Sequence, residues 1–84
     1  MKTAYTAQDL GRLIRDTRKA LGRTQTELAA ALKVRRQTIA ELEQGGNVGL
    51  HVMFSVLTYL GKGVAITDAR PTAEALQALL DEHE

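Results

Sequence analysis

The stretch from Thr24 to Glu43 constrains the fold of this chain most, because it predicts two short helices joined by a tight turn. Apolar residues recur at helical spacing in both helices, and one more falls in the turn. These residues are Leu28, Leu32, Val34, Ile39 and Leu42. Each helix therefore presents one apolar stripe to a shared core, and the opposite faces remain free to bind something else.

The start of the first of these helices is well defined by the sequence. Thr24 is a favourable N-cap and Glu27 stands three residues later, which is the signature of a capping box. The small residues Ala29, Ala30 and Ala31 would let a second helix approach closely at a steep angle. This combination is typical of a helix-turn-helix.

The second helix begins with Arg35, at a position where N-cap preferences favour Ser or Thr. Arg36 and Gln37 follow it in a first turn that we expect to be exposed. Because the N-terminus of a helix already favours anions, two arginines there indicate a polyanionic ligand.

At fixed spacing, the chain resembles the Cro and phage-repressor (XRE) family of helix-turn-helix proteins. The matching residues are Ile14, Arg15 and Arg18 in a first helix, Thr24, Gln25, Leu28 and Ala29 in a second, and Thr38, Ile39 and Glu43 in a third. From Tyr5 to Arg70 the chain is similar to the HipB-like antitoxin branch of this family. The resemblance implies an all-α, lambda-repressor-like domain of four to five helices, with a short C-terminal strand used for dimerisation.

The resemblance also suggests roles for individual residues. Arg36, Gln37 and Glu41 match the positions at which the family contacts DNA bases in the major groove, and Arg35 lies at the groove edge, where it could contact a base or a phosphate. Gln25 matches a residue whose amide and backbone N–H clamp a phosphate. We expect further phosphate contacts from Thr24, Thr38, Gly46 and Asn47.

A structural ion pair is implied as well. Arg18 and Glu43 match two residues that pair in this family and hold the first helix against the end of the third.

Two departures from the family pattern stand out. Thr17 occupies a position where relatives have a large apolar residue, so we expect a thinner core there, and Lys33 occupies a turn position where relatives commonly have Gly.

Length and composition limit the remaining possibilities. Eighty-four residues suit one domain, and a chain this short buries a modest fraction of its surface, so we expect a homodimer. The chain has no cysteine and its two histidines lie far apart, so we expect no disulfide, no metal site and no cofactor. No apolar run suits a membrane span or a signal peptide, which fits a cytoplasmic protein.

Charge is distributed unevenly along the chain. Residues 1–46 carry nine Lys and Arg against five Asp and Glu, a net charge of +4, whereas residues 47–84 carry two against five, a net charge of −3. This asymmetry indicates that nucleic acid contacts only the first part. No nucleophile, base and orienting group can be assembled and no Gly-rich phosphate loop is present, so we do not expect an enzyme.

The chain divides into four segments by composition and pattern. Residues 1–5 should form a flexible arm, 6–61 the DNA-binding domain, 62–70 a dimerisation strand and 71–84 an acidic C-terminal helix or tail. The strand prediction depends on β-branched residues in the run Val64, Ala65, Ile66 and Thr67. A lone strand leaves its backbone groups unpaired, and the simplest partner is the same strand of a second copy. A solvent-exposed extended tail is the alternative.

Within the domain, the first helix should begin after Thr6 and end near Leu21, and the fourth should run from about Leu50 to Leu60. A last helix should open at Pro71 or Thr72. The spacing predicts that the first helix buries Leu10, Leu13, Ile14, Thr17 and Leu21. It predicts that the fourth buries Leu50, Met53, Phe54, Leu57 and Leu60.

Together these features predict a sequence-specific repressor that binds a palindromic operator in double-stranded DNA. The resemblance further implies an antitoxin role, in which the protein represses its own operon and binds a HipA-like kinase toxin. Two alternatives remain open. The chain could be a protein-binding inhibitor for which DNA binding is secondary, or a stand-alone phage-type regulator without a toxin.

Overall fold

The computed structural model describes residues 2–68 and 80–81 and forms four α-helices in the first of these ranges. The helices are α1 (Ala7–Ala20), α2 (Gln25–Leu32), α3 (Arg36–Glu43) and α4 (Leu50–Tyr59). All four therefore lie where the sequence predicts them, and the helix-turn-helix is α2 followed by α3.

Side-chain caps define where the first two helices begin. The hydroxyl of Thr6 accepts the backbone N–H of Asp9 at 3.0 Å. The predicted capping box is present at α2, where the Thr24 hydroxyl accepts the N–H of Glu27 at 3.0 Å and the Glu27 carboxylate accepts the N–H of Thr24 at 3.2 Å. These bonds satisfy N–H groups that have no partner inside the helix, and so they determine the first residue of each helix.

All four helices contribute to one core. Each supplies one fully buried side chain, and these are Ile14, Leu28, Ile39 and Val56. Ala29, Leu42, Leu57 and Leu60 complete the buried set. Helix α3 packs against both α1 and α2, and α4 closes the core against α2. Helix α3 is therefore held on two sides, which limits how far it can tilt.

Three expected core residues are exposed instead. Leu21 is 53% exposed, Leu50 is 68% exposed and Phe54 is 48% exposed. On α4 Leu57 and Leu60 are buried as predicted, but the buried face includes Val56 in place of Leu50 and Phe54. The error arises because six of the eight positions between residues 50 and 57 are apolar, so helical spacing alone cannot select the buried face. Leu21 is the C-cap of α1, where the chain turns away from the core.

A close helix crossing was not predicted. Gly11 of α1 is buried against the end of α3, and a Cβ atom at this position would overlap the carbonyl oxygen of Glu43 and lie 2.6 Å from that of Leu42. Only glycine allows the two backbones to come this close. The crossing brings α1 near enough to α3 for side chains of the two helices to form buried polar contacts.

The C-terminal part departs from the predicted organisation. Residues 62–68 are exposed and have no regular secondary structure, so the strand predicted at 64–67 is not formed in the single chain. A strand requires a hydrogen-bonded neighbour, and the isolated chain offers none in the part that is described. The predicted last helix from Pro71 or Thr72 lies outside the described residues, apart from positions 80 and 81.

The described residues offer neither a membrane span nor a metal-binding cluster. In the ranges 2–68 and 80–81, no helix is both long and apolar enough to cross a membrane. The same residues contain no group of three or more His, Cys, Asp or Glu side chains arranged to hold a metal ion.

Candidate nucleic-acid interface

The first turn of α3 forms the exposed basic end of the helix-turn-helix. Arg35 is the N-cap residue in an extended conformation (φ −75°, ψ 144°), and its side chain makes no capping hydrogen bond. Arg36 and Gln37 follow it and are exposed. Glu41 is one turn beyond Gln37 and is also exposed. These four side chains, predicted to contact bases, therefore lie on or beside the outer side of one short helix.

The turn before α3 sets the direction of this helix. Lys33 adopts a left-handed conformation (φ 58°, ψ 41°) and its N–H donates to the carbonyl of Ala30 at 3.3 Å. The N–H of Val34 donates to the carbonyl of Ala29 at 3.0 Å, and its side chain packs against the core. Together they reverse the chain within three residues and anchor the turn, so α3 starts from a fixed position.

One buried carboxylate links three helices behind the interface. Glu43, at the end of α3, accepts hydrogen bonds from Arg18 of α1 at 2.7 Å and 3.0 Å, a bidentate ion pair in which both residues are less than 10% exposed. It also accepts a bond from the amide of Gln25, the first residue of α2, at 3.0 Å. The remaining nitrogen of Arg18 donates to the carbonyl of Arg23 at 2.8 Å. This cluster holds the two helices of the motif in register with α1.

The environment of the cluster favours its charged form. Burial raises the pKa of Glu43, but the hydrogen bonds from Arg18 and Gln25 and the charges of Arg18 and Arg15 outweigh that effect, so the pKa of Glu43 lies below its ordinary value. The hydrogen bond to Glu43 in turn raises the pKa of Arg18. The pair is therefore ionised at neutral pH and acts as a permanent structural link.

The residues predicted to contact phosphates surround the two ends of the motif. Thr24 is exposed and Gln25 half-buried at the start of α2, and Thr38 is half-buried on α3. Gly46 and Asn47 are exposed in the loop after α3.

Several of these groups are already engaged, and among them the hydroxyl and the N–H of Thr24 belong to the capping box with Glu27. The Gln25 amide bonds Glu43, which leaves one of its two N–H groups for another acceptor. The N–H of Gly46 donates to the carbonyl of Glu41 at 2.7 Å and caps α3, so this donor is not available to a phosphate while the cap is intact.

Sequence reasoning missed two features that position this site. Gly11 could have been noticed as a glycine inside a predicted helix, since such a residue commonly marks a close backbone approach. The bond between Gln25 and Glu43 joins residues 18 positions apart, and no local pattern signals it.

Residues 14–66 of the chain match the family model described as Helix-turn-helix, which is more than half of the sequence. The chain belongs to this helix-turn-helix family. The matched region begins in α1, contains all of α2, α3 and α4, and ends inside the segment predicted to form the strand. No curated protein sequence matches this helix-turn-helix chain.

Solved structures extend the comparison. The chain is similar to the HipB chain of the "HipB-O4 20mer complex", with 27% sequence identity over 83% of this chain and 100% of that one and a TM-score of 0.75. A HipB variant in complex with an O2 20mer gives 27% identity, coverage of 83% and 99%, and a TM-score of 0.75. The "HipA-HipB-O2-O3 complex" gives 25% identity, coverage of 83% and 100%, and a TM-score of 0.74. The fold of this helix-turn-helix protein is thus similar to that of HipB.

Proposed function

We propose that this chain is the antitoxin of a HipA/HipB-type toxin–antitoxin operon. As a homodimer it binds a palindromic operator, represses its own operon and binds a HipA-like kinase toxin. It acts in the cytoplasm and has no catalytic activity of its own. The observation that carries this proposal is the exposed Arg35–Arg36–Gln37 turn at the start of a helix that α1 and α2 hold in place.

The arrangement of α3 suits reading of the major groove. The groove admits one α-helix, and in this motif the first turn of the recognition helix contacts base edges. Arg36 can form two hydrogen bonds to the O6 and N7 atoms of guanine, and Gln37 can form two to adenine. Glu41, one turn further, can accept a bond from the amino group of cytosine. Arg35, at the entry of the helix, is placed to contact a base or the adjacent phosphate.

The flanking groups suit the DNA backbone. Thr24 and Gln25 lie at the start of α2 and Thr38 lies on α3. In the first turn of α2 the N–H groups of Gln25 and Thr26 have no carbonyl partner inside the helix, whereas the N–H of Glu27 is capped by Thr24. Asn47, in the loop after α3, offers a side-chain amide, whereas Gly46 allows close approach without a side chain. These contacts fix the position of α3 on the duplex but do not select its sequence.

A dimer supplies the two-fold symmetry that a palindromic operator requires. We infer that residues 64–67 of two copies pair as an antiparallel ribbon, which places the two α3 helices one DNA turn or a multiple of it apart. The complete exposure of Ile66 in the single chain supports this inference, because a β-branched apolar side chain with no intramolecular contact has most to gain from a second copy.

The toxin partner is inferred from a structural relative. The "HipA-HipB-O2-O3 complex" contains HipA together with HipB, and this chain covers all of that HipB chain. The exposed Leu50 and Phe54 on α4 provide apolar surface outside the recognition helix. The likeness to a HipB chain solved together with HipA favours an antitoxin over a stand-alone regulator.

Arg36→Ala tests the placement of α3 on DNA. With a duplex selected by the wild-type protein from a random-sequence library, we expect fluorescence anisotropy to show a loss of about 1–3 kcal/mol in operator binding, with relaxed preference at one base pair of each half-site. Lys19→Ala removes the same charge from an exposed position on α1 and should cost less and leave the sequence preference unchanged. Unchanged operator binding by Arg36→Ala would show that α3 does not enter the groove as proposed.

A second experiment addresses the toxin. The tagged protein is recovered from native lysate in the presence of nuclease, and bound proteins are identified by mass spectrometry. Recovery of a HipA-like kinase in stoichiometric amount supports the antitoxin role. Recovery of only the protein itself would leave a dimeric repressor without a toxin.

A further inference from the structure

An open apolar groove lies between α1 and the end of α4, on a side of the domain to which neither α2 nor α3 contributes. Its volume is about 350 Å³, and its walls include Leu13 and Leu60. Thr17 lines it where a large apolar side chain would reduce it, and its hydroxyl already donates to the carbonyl of Leu13 at 2.8 Å. Because the Thr17 hydroxyl is already hydrogen-bonded, an apolar side chain can occupy the groove without leaving this hydroxyl unsatisfied.

The rim of the groove is basic, and the chain leaves the domain from it. Lys2 and Lys62 flank the opening, and Gly63 lines its edge. The last thirteen residues of the sequence, 72–84, have the complementary composition. They contain four acidic residues and an apolar stripe at helical spacing, Ala73, Leu76, Leu79 and Leu80. Of this stripe the structure describes Leu80, which is 57% exposed.

The proposed dimer ribbon determines where these residues begin. If residues 64–67 pair about their own centre, Val64 lies opposite the partner's Thr67, and continuing the register puts Gly63 opposite the partner's Asp68. Paired residues in an antiparallel ribbon have Cα atoms only about 5 Å apart. The partner's Asp68 therefore lies at the rim of this groove, and three residues, 69–71, separate it from the C-terminal segment.

The path of residues 72–84 to the groove of their own chain is less direct. A chain leaving the rim at Gly63 needs the eight residues 64–71 before the segment begins, which span about 26 Å when extended at about 3.3 Å per residue. The chain would then have to reverse and return the same distance. The partner's segment needs no such reversal.

We propose that residues 72–84 of each copy dock in the α1–α4 groove of the other copy, with their leucines against its apolar walls and their acidic residues near Lys2 and Lys62. This inference rests on the proposed homodimer and adds to it a second, exchanged contact. The acidic C-terminal segment is then part of the dimer interface, on a side of each domain away from the recognition helix.

Cysteine cross-linking tests the exchange, because the natural sequence has no cysteine. Equal amounts of Thr17→Cys and Leu76→Cys are mixed, allowed to exchange subunits and oxidised mildly. A disulfide requires Cα atoms within about 7 Å, so we expect a linked dimer containing one copy of each variant, identified by peptide mass. Ser55→Cys places the thiol on an exposed part of α4 outside the groove, and mixed with Leu76→Cys it should cross-link at least ten times more slowly.

The possible failures are distinguishable. A Thr17→Cys/Leu76→Cys chain diluted in excess wild-type protein should form no internal disulfide, and a link within one chain would overturn the exchange. Sedimentation of the wild type reports the dimer separately. A dimer without preferential cross-linking overturns only this inference, whereas a monomer overturns the homodimer as well. Deleting residues 72–84 should weaken dimerisation at least tenfold, and an unchanged dissociation constant would contradict the docking.

Discussion

Lys33 shows how one residue of the turn carries a local cost. It is the one non-glycine residue with positive φ in the described part of the chain, and it ends α2 in the left-handed conformation, which glycine adopts without strain. A side chain with a Cβ atom is strained there by about 1–2 kcal/mol, because Cβ approaches the following carbonyl oxygen. The turn keeps this conformation despite the strain, because the side chain of Val34 packs against the core.

Replacing this residue should therefore stabilise the domain. We expect Lys33→Gly to raise the free energy of unfolding by about 0.5–1 kcal/mol after the extra chain entropy of glycine is subtracted, and to raise the melting temperature by several degrees. Thermal unfolding followed by circular dichroism measures both. Lys33→Ala removes the charge but keeps Cβ, so it should give no such gain. A lower melting temperature for Lys33→Gly would mean that strain is not the controlling factor.

At the scale of elements, the crossing of α1 over α3 organises the site. Gly11 lets the two backbones meet, and the Arg18–Glu43 pair then spans the crossing under nearly complete burial. Gln25 extends the same cluster to α2. A buried ion pair is not in itself a strong source of stability, but removing one member strands the other charge. The cluster therefore specifies the relative positions of the helices.

The cluster predicts a definite pH dependence. Because the pKa of Glu43 in the folded state lies below its ordinary value of 4.5, its contribution to stability is complete above that value and is lost as the pH falls through the folded pKa. We expect Glu43→Gln to cost about 2 kcal/mol or more at pH 7, where it leaves Arg18 buried without a counter-charge. In urea titrations, the difference from wild type should shrink as the pH falls below 4.5, the ordinary pKa of the glutamate carboxyl.

A matched variant separates this effect from general acid sensitivity. Asp9 also has a lowered pKa, because its exposed carboxylate accepts the N–H of Tyr5 and a hydrogen bond from Arg12. Asp9→Asn should change the loss of stability at low pH only slightly, since the Asp9 carboxylate and the Arg12 guanidinium face solvent. If Glu43→Gln and wild type differed equally at every pH, the carboxylate would not be the titrating group.

At the scale of the whole molecule, the single chain leaves apolar surface unused. Leu50 and Phe54 lie exposed on α4, and Val64 and Ile66 are exposed beyond it. A domain this small gains substantially from covering such residues with a second copy. The two-fold symmetry of a dimer would also match that of a palindromic operator.

Ile66→Pro tests the ribbon directly. Proline removes one backbone donor and should shift the protein towards monomer, with operator affinity falling by about a hundredfold or more because two linked half-site contacts become one. Sedimentation and anisotropy measure the two effects. Since Ile66 makes no core contact in the single chain, the helical circular dichroism should not change. Ile66→Thr keeps the donor and should remain largely dimeric, whereas a fully dimeric Ile66→Pro would point to the C-terminal segment as the interface.

Local features of this protein follow from short segments of its sequence. Caps at Thr6 and Thr24 give the starts of the first two helices, because a cap is formed by residues three positions apart. The spacing of Leu28, Ile39 and Leu42 gives the buried stripes of the motif. The fixed spacing of the matching residues in the two helices of the motif also indicates the exposed turn at Arg35. The position of this turn follows from the lengths of the two helices around it.

Features that depend on residues far apart in the chain are set by the packing of the helices against one another. The apolar run of α4 allows several buried faces, and packing against α2 selects the one centred on Val56, leaving Phe54 exposed. The close approach at Gly11 and the bond from Gln25 to Glu43 join elements far apart in the chain. The local sequence of a segment gives its helical period and its caps. Which face of the helix is buried depends on the helices that pack against it, and these lie elsewhere in the chain.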